Sequence, residues 1–403
     1  MLCTGDYFPG CKITVYQSIG LYRKLKADAI FNGYELLSGN YVLVTLPDGV
    51  CVDILPLEDA GDVELYNGML CPGFINCHCH IELSYLKGQI SERSGLVPFV
   101  LQVMNKRNIP IQEKMAAMEK AVTELYNGGT VAVADICNNA DSIPIKRNSL
   151  LYWQNFIEVS GFPGDLAEKR FANAKEVALQ FKELPYPYSI VPHAPYSVSN
   201  ELFKLINEAT PQKVITIHNQ EEPTENEFFL TKTGNFVNLY NQLKINIDEF
   251  VPTGKTSFQS WKHYFNKGQT MISVHNTFTK TADILPSRDL FYCFCVNANL
   301  YIENTIPQIP NFSENYEQVV LGTDSYASNS QLNMLEEMKT IKKNFENIST
   351  TQLLRWSTVN GARALNISDK FGSFQPGKKP GVNLIKGLSN FEISGSSEVF
   401  RLL

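Results

Sequence analysis

Three absences narrow the class of this 403-residue chain before any motif is considered. It has no excess of positive charge, because 35 Lys and Arg stand against 41 Asp and Glu, and the formal net charge is −6. This balance argues against a general nucleic-acid or membrane-surface binder. No apolar run approaches the roughly 18 residues that a membrane span needs, and the N-terminus lacks the pattern of a secretory signal. We therefore expect a cytoplasmic globular protein.

Cysteine pairs with the usual metal-binding spacing are also missing. The nine cysteines are an odd number in a large chain, which disfavours a disulfide framework and fits a reducing compartment. No two of them are separated by two residues, as a zinc ribbon would require. The closer pairs Cys77/Cys79 and Cys293/Cys295 are interpreted as small side chains in buried strands.

Short β-rich runs alternate with helical patterns along most of the chain. Eight apolar runs predict strands buried on both faces. They span residues 73–80, 130–136, 155–161, 188–194, 213–220, 270–276, 290–296 and 318–325. Eight strands alternating with helices predict an α/β fold, a (β/α)8 TIM-like barrel, with a doubly wound sheet as the alternative.

The two ends of the chain differ from its centre. Residues 26–70 and 369–403 read as short strands and turns, and we expect them to form one small composite β-sandwich domain. The barrel would then occupy residues 71–368, with a long insertion at about 219–270 of the size of a lid or substrate loop. The first 25 residues fit neither pattern.

The six histidines are unevenly placed. His78 and His80 end the first predicted strand, where residues two apart point to the same face. His218 ends the fifth strand and Asp324 the eighth, and the carboxyl ends of barrel strands meet at one mouth. These four residues therefore predict a site with three nitrogen ligands and one oxygen ligand for one divalent metal ion, Zn²⁺ first and Fe²⁺ as its competitor.

Three groups around this site suit hydrolysis by a metal-activated water. Asp324 would accept the proton of the water while acting as a ligand, and His275, at the end of the sixth strand, would orient the nucleophile and stabilise an oxyanion. Glu221 follows His218 by three residues and would protonate the substrate or its leaving group. Spacing alone leaves the choice between Glu221 and Glu222 open.

As an ordered set, the segments "PGFINCHCHIELS", "PHAPYS", "IHNQE", "VHN" and "GTDS" resemble the amidohydrolase superfamily. Within it the chain resembles the mononuclear deaminase branch, which includes cytosine, guanine and S-adenosylhomocysteine deaminases and the triazine chlorohydrolases. The "HCHIELS" continuation is most similar to aminodeoxyfutalosine deaminase-like proteins. The resemblance implies removal of the exocyclic amine of an aminated heteroaromatic base, such as the adenine of a nucleoside. It favours Glu221 over Glu222 as the acid.

The resemblance also implies residues that contact a small-molecule substrate. His193 stands where binuclear members place a metal-bridging lysine or glutamate, which favours one metal and a substrate-contact role. Glu82 and Ser84 would face the same pocket. A homodimer is left open. The alternative functions are hydrolytic dechlorination or cyclic-amide hydrolysis at the same site, or a non-catalytic binding protein. The zinc nucleobase deaminases with an H-x-E motif, which have a different fold, are excluded because their P-C-x-x-C motif is absent.

Overall fold

The computed structural model describes residues 22–403. Expectations for residues 1–21, including Cys3 and Cys11, lie outside the described part. The other seven cysteines are free and buried, and for Cys77, Cys79, Cys293 and Cys295 this burial was predicted. Within residues 22–403, no helix combines the length and the apolar character needed to cross a membrane.

Seventeen strands are present in residues 22–403. The first seven are β1 (Arg23–Lys26), β2 (Ala29–Phe31), β3 (Leu36–Ser38), β4 (Tyr41–Thr45), β5 (Cys51–Pro56), β6 (Glu64–Leu65) and β7 (Met69–Pro72). The central eight are β8 (Phe74–Cys79), β9 (Thr130–Cys137), β10 (Tyr152–Val159), β11 (Tyr188–Pro192), β12 (Val214–Asn219), β13 (Thr270–His275), β14 (Leu290–Phe294) and β15 (Val319–Leu321). The last two are β16 (Val382–Lys386) and β17 (Glu398–Arg401).

Apart from Leu57–Ala60, which precedes the central strands, the α-helices lie in connections between the central strands or in the stretch that follows them. The α-helices of the described chain are Leu57–Ala60, Leu96–Asn105, Ile111–Asn127, Ile143–Arg147, Ala167–Gln180, Asn200–Ala209, Glu225–Thr231, Asn235–Leu243, Ser257–Trp261, Val296–Glu303, Met334–Asn344, Thr350–Ser357 and Val359–Ala364. The helix Thr350–Ser357 starts at a capping box, in which the Ser349 hydroxyl accepts a hydrogen bond from the Gln352 amide.

All eight predicted central strands are present, and every pairing between them is parallel. They form two four-stranded sheets with the orders β11-β10-β9-β8 and β12-β13-β14-β15. Backbone hydrogen bonds also join the sheets at both edges. The His218 amide donates to the His193 carbonyl at 3.0 Å, and the amides of Thr323 and Asp324 donate to the His78 carbonyl at 3.1 and 3.0 Å. The helices and parallel strands make this an α/β fold.

The segment after β15 passes very close to β8, where the two four-stranded sheets meet. β15 ends at Leu321, four residues before the predicted limit at residue 325. A Cβ added at Gly322 would lie 2.8 Å from His78 Cβ and 2.9 Å from its backbone N and O. Only glycine lets the chain pass this close to the strand that carries the histidines.

The two ends of the described chain form two smaller sheets. Their strand orders are β5-β4-β1-β6 and β17-β16-β7-β2-β3. β16 pairs antiparallel with β7, so the end of the chain is joined to its early part. Leu25, Ile30, Leu43, Leu70 and Leu384 share one buried apolar cluster of these sheets.

The predicted long insertion is folded rather than irregular. Three short helices, Glu225–Thr231, Asn235–Leu243 and Ser257–Trp261, lie in it. Phe228 and Tyr240 share an apolar cluster with Tyr196, from the segment after β11. Burial of these rings attaches the insertion to the strand ends that carry the histidines.

Candidate active site

The ends of β8, β12 and β15 bring the four predicted metal-binding residues together. One ring nitrogen of each of His78, His80 and His218 lies within 4.8 Å of the other two. Asp324 Oδ1 is 3.6 Å from His78 Nε2 and 3.5 Å from His80 Nε2. All four side chains are buried, although they come from three strand ends that are distant in sequence.

The spacing of these atoms fits a tetrahedral ion. The Nε2 atoms of His78 and His80 are 3.2 Å apart. Neighbouring ligands of a tetrahedral zinc ion, with bonds of about 2.0–2.1 Å, lie roughly 3.3 Å apart. The three distances of 3.2, 3.5 and 3.6 Å are close to that value. The donor set could therefore hold one divalent cation.

Two of the four predicted metal-binding residues are oriented by hydrogen bonds to neighbouring groups. His218 Nδ1 donates a hydrogen bond to the His193 carbonyl oxygen at 2.7 Å, which leaves Nε2 with a free lone pair. The Ser328 hydroxyl donates to Asp324 Oδ2, so that Oδ1 is the oxygen turned toward the histidines. Nδ1 of His78 is buried and has no hydrogen-bond partner in the described part of the chain.

The backbone is left-handed at two residues of the site. His275 has φ 71° and Asp324 has φ 56°, values that non-glycine residues rarely adopt. Such conformations persist only where surrounding contacts hold them, and they cluster at functional sites.

His275 and Glu221 form a second group next to the four residues. His275 Nε2 lies 3.6 Å from Glu221 Oε1. The side-chain amide of Asn299 is hydrogen-bonded to His275 Nδ1 at 3.2 Å, which fixes the ring so that Nε2 faces the carboxyl group. His275 Nε2 is buried, and no described residue forms a hydrogen bond with it.

The two neighbouring glutamates differ in their contacts. The Glu225 carboxylate accepts the Glu221 amide at 3.2 Å and fixes the backbone there. Glu222 instead accepts hydrogen bonds from the Thr224 amide at 2.6 Å and from Asn235 Nδ2 at 2.9 Å. Glu221 therefore faces His275, whereas Glu222 is taken up by the insertion.

Burial separates the ionisation of the carboxyl groups from that of the imidazoles. Burial, reinforced by the negative charge of Asp324, raises the pKa of Glu221 well above its usual value. Burial lowers the pKa of His78, His80 and His275 well below the usual value, so these rings are neutral and keep lone pairs. Burial opposes ionisation of Asp324, but His80, His275 and other neighbours outweigh it and lower its pKa.

The three residues predicted to contact substrate differ in their surroundings. His193 is half-buried and hydrogen-bonded through Nδ1 to the Ser197 hydroxyl at 2.7 Å. Glu82 is buried and accepts a hydrogen bond from the Asn138 amide at 2.9 Å. The Ser84 hydroxyl donates to the carbonyl of Ile81 in its own helical turn at 2.6 Å. Substrate contact by these three residues stays a prediction.

Sequence reasoning did not find Glu158, Asn299 or Ser328. Glu158 was open to detection, because it is the one charged residue in the run "NFIEVSG" and stands near the end of its strand. Asn299 lies on the helix after β14, and Ser328 lies in the segment after Asp324. Nothing in the sequence separates these last two from ordinary polar residues.

A buried ion pair supports the backbone just beyond His80. Lys146 Nζ lies 2.6 Å from Asp135 Oδ2, and both side chains have no exposed surface. The other oxygen of Asp135 accepts the Ile81 amide at 2.8 Å. Burial alone would lower the pKa of Lys146, but Asp135 and Cys137 together raise it, so the ammonium stays charged.

Comparisons with known proteins show which family and which relatives this chain is similar to. The sequence pattern described as the Amidohydrolase family matches residues 69–400. The 5'-deoxyadenosine deaminase of Methanococcus vannielii is 26% identical over 382 residues, covering 88% of this chain and 83% of the relative.

Two solved structures share the fold. The aminofutalosine deaminase of Helicobacter pylori, in complex with methylthio-coformycin, has a TM-score of 0.76 at 18% identity, covering 91% of this chain and 93% of the other. An adenosine deaminase from Xanthomonas campestris with bound zinc has a TM-score of 0.68 at 21% identity, covering 90% and 84%. At these identities the two structures show a common fold.

Proposed function

This chain belongs to the amidohydrolase family, and from that premise we propose that it is a hydrolase of C–N bonds, a deaminase of adenine-type nucleosides. The observation that carries the proposal is the position of the Glu221–His275 pair beside four residues with the spacing of metal ligands. A buried acid, a neutral imidazole and a cation site together suit hydrolytic removal of an amine.

The proposed metal ligands are His78, His80, His218 and Asp324. Their donor atoms suit one divalent ion, zinc in the first place and iron as the alternative. When bound, the ion supplies Lewis-acid chemistry that makes water a nucleophile near neutral pH. His218 is held for this role by its hydrogen bond to the His193 carbonyl.

Proton movement is assigned to two carboxyl groups. Asp324 Oδ1 accepts the proton of the attacking water, since Oδ2 is occupied by the Ser328 hydroxyl. Glu221, whose pKa is raised by burial, gives its proton to the ring nitrogen of the base and then takes up the proton of the added hydroxyl, while the proton held by Asp324 passes to the amine, which leaves as ammonia. His275 orients the nucleophile through Nε2, which faces Glu221 and has no other partner.

The proposed substrate class is inferred mainly from the relatives, because the geometry of the site alone does not specify it. Adenine nucleosides altered at the 5' position, such as aminodeoxyfutalosine or an S-adenosylhomocysteine-like compound, are the proposed substrates, with His193, Glu82 and Ser84 as contacts. Names of relatives such as 5'-deoxyadenosine deaminase support this choice. The partner is a small molecule; cytoplasmic location and a homodimer stay predictions.

We also propose a division of the chain into two domains. The seam contacts of β8 with β15 and of β11 with β12 support a single (β/α)8 barrel over residues 71–368, made of the two four-stranded sheets. The two small sheets and their shared apolar cluster support a composite β-sandwich from residues 26–70 and 369–403.

The test is an ammonia-release screen over adenine nucleosides, guanine, cytosine and pterins, with chloride release and ring opening measured in parallel. Glu221→Gln should lower kcat by about 100-fold or more, the usual contribution of a general acid, and should keep its metal by elemental analysis. Glu222→Gln is the matched control, because the Glu222 carboxylate contacts Thr224 and Asn235 of the insertion, and its activity should stay within a few-fold of wild type. Full activity of Glu221→Gln, or no ammonia from any compound, would contradict the proposal.

A further inference from the structure

One carboxyl oxygen beside the histidines has no role in the mechanism above. Glu158 projects from the end of β10 with only 7% of its side chain exposed. Its Oε2 is buried and has no hydrogen-bond partner among residues 22–403. A buried carboxylate oxygen left without a donor is costly, so its retention calls for a ligand that supplies the missing hydrogen bond.

Glu158 does not serve to orient His218. Its Oε2 is 3.8 Å from His218 Nδ1, which is too far for a hydrogen bond. That ring nitrogen already donates to the His193 carbonyl at 2.7 Å. Donor atoms of Glu158, His193 and His218 lie within 4.8 Å of one another. His218 Nδ1 is nevertheless unable to ligate a second metal ion there, because it carries the proton of its hydrogen bond to the His193 carbonyl.

Asn138 joins Glu158 to a second buried carboxyl group. Its side-chain Nδ2 donates to Glu158 Oε1 at 3.2 Å, and its backbone amide donates to Glu82 Oε2 at 2.9 Å. Both carboxyl groups are therefore held by one residue that follows β9. Glu82 also lines a small cavity of about 40 Å³ together with Arg107, which is exposed at the surface.

We propose that Glu82, Asn138 and Glu158 form a substrate subsite in which Glu158 Oε2 accepts a hydrogen bond from a hydroxyl group of the nucleoside sugar. This inference rests on the proposed function, since it places the sugar of the substrate beside the metal-binding residues. A neutral hydroxyl completes the hydrogen bonding of Oε2 without adding a further charge to a group of buried acids. The subsite makes recognition of the sugar, and not only of the base, a property of this chain.

The test compares adenosine, 2'-deoxyadenosine and 3'-deoxyadenosine on the zinc-loaded enzyme. In the wild type, one deoxy analogue should lose about tenfold or more in kcat/KM relative to adenosine, the effect of one hydrogen bond to a charged acceptor. In Glu158→Gln the kcat/KM of that deoxy analogue should lie within about threefold of the value for adenosine. Glu201→Gln, an exposed acid on the helix Asn200–Ala209, is the control and should keep the wild-type ratios.

Binding separates failure of this subsite from failure of the proposed function. Calorimetry of the same nucleosides is done on zinc-loaded Glu221→Gln, with and without Glu158→Gln. If Glu158→Gln changes the ratios of the dissociation constants of the three nucleosides, the subsite is supported even when no ammonia is released. If ammonia is released but these ratios are unchanged by Glu158→Gln, the subsite alone is overturned.

Three further results would overturn the subsite. The first is an equal kcat/KM for all three nucleosides in the wild type, a result that does not depend on the folding of any variant. The other two are equal ratios in wild type and Glu158→Gln, and a second bound metal ion that is lost in Glu158→Gln by elemental analysis.

Discussion

Removal of the buried ammonium of Lys146 should destabilise the whole chain. Lys146 Nζ contacts Asp135 Oδ2 at 2.6 Å, Asn155 Oδ1 at 2.8 Å and Cys137 Sγ at 3.1 Å, with no exposed surface on the lysine. At an effective dielectric constant of about 20, the ion pair alone attracts by about 6 kcal/mol. Lys146→Met fills the volume but leaves the Asp135 carboxylate buried without its counter-charge.

The expected cost is smaller than the full attraction, because the desolvation penalty of the ammonium is removed with it. Breaking a buried pair from one side costs about 3–5 kcal/mol. Unfolding entropy is about 2.1 cal/mol/K per residue, or about 850 cal/mol/K for 403 residues. A loss of about 4 kcal/mol then lowers Tm by about 5 °C, which calorimetry measures directly.

A matched pair of variants separates the ion pair from general packing. Adding Asp135→Asn to Lys146→Met should restore at least half of the lost Tm, because the uncompensated charge is gone. Lys267→Met, which removes one member of an exposed pair with Glu208, should change Tm by less than about 1 °C. A Tm of Lys146→Met within 1 °C of wild type, or a double variant as unstable as the sum of the singles, would refute the reasoning.

Two further substitutions test the close contacts of the site. Gly322→Ala would push a Cβ to within 2.9 Å of the His78 backbone and should lower the free energy of unfolding by about 1–3 kcal/mol. It should also weaken zinc binding in a chelator competition. Gly395→Ala, whose Cβ would have no described atom within 4 Å, should change neither stability nor zinc binding, and a Gly322→Ala variant with wild-type stability and zinc binding would contradict the packing argument. Asn299→Ala should lower kcat by about tenfold with KM and metal content unchanged, because the hydrogen bond that orients His275 is lost, together with one to the Thr277 hydroxyl. A change in KM alone would count against a positioning role.

Much of the site was predictable because its main residues follow local rules. The two histidines of "HCH" share a face through the two-residue period of a strand, and the other two predicted ligands stand at the ends of further apolar runs. Since parallel strands align their carboxyl ends, this pattern alone predicts that His78, His80, His218 and Asp324 lie close together, as they do in the structure. All eight predicted central strands are present, with boundaries that differ by a few residues.

The sequence by itself determined the strands, the histidine cluster and the family resemblance, because each depends on spacing along the chain or on short motifs. The tertiary structure decided which acid faces His275, that Asn299 holds this ring, and that Glu158 keeps an oxygen without a partner. It also decided that Lys146 is a buried ion rather than a surface lysine. These properties arise from contacts between segments far apart in sequence, and local periodicity carries no information about which polar groups meet there.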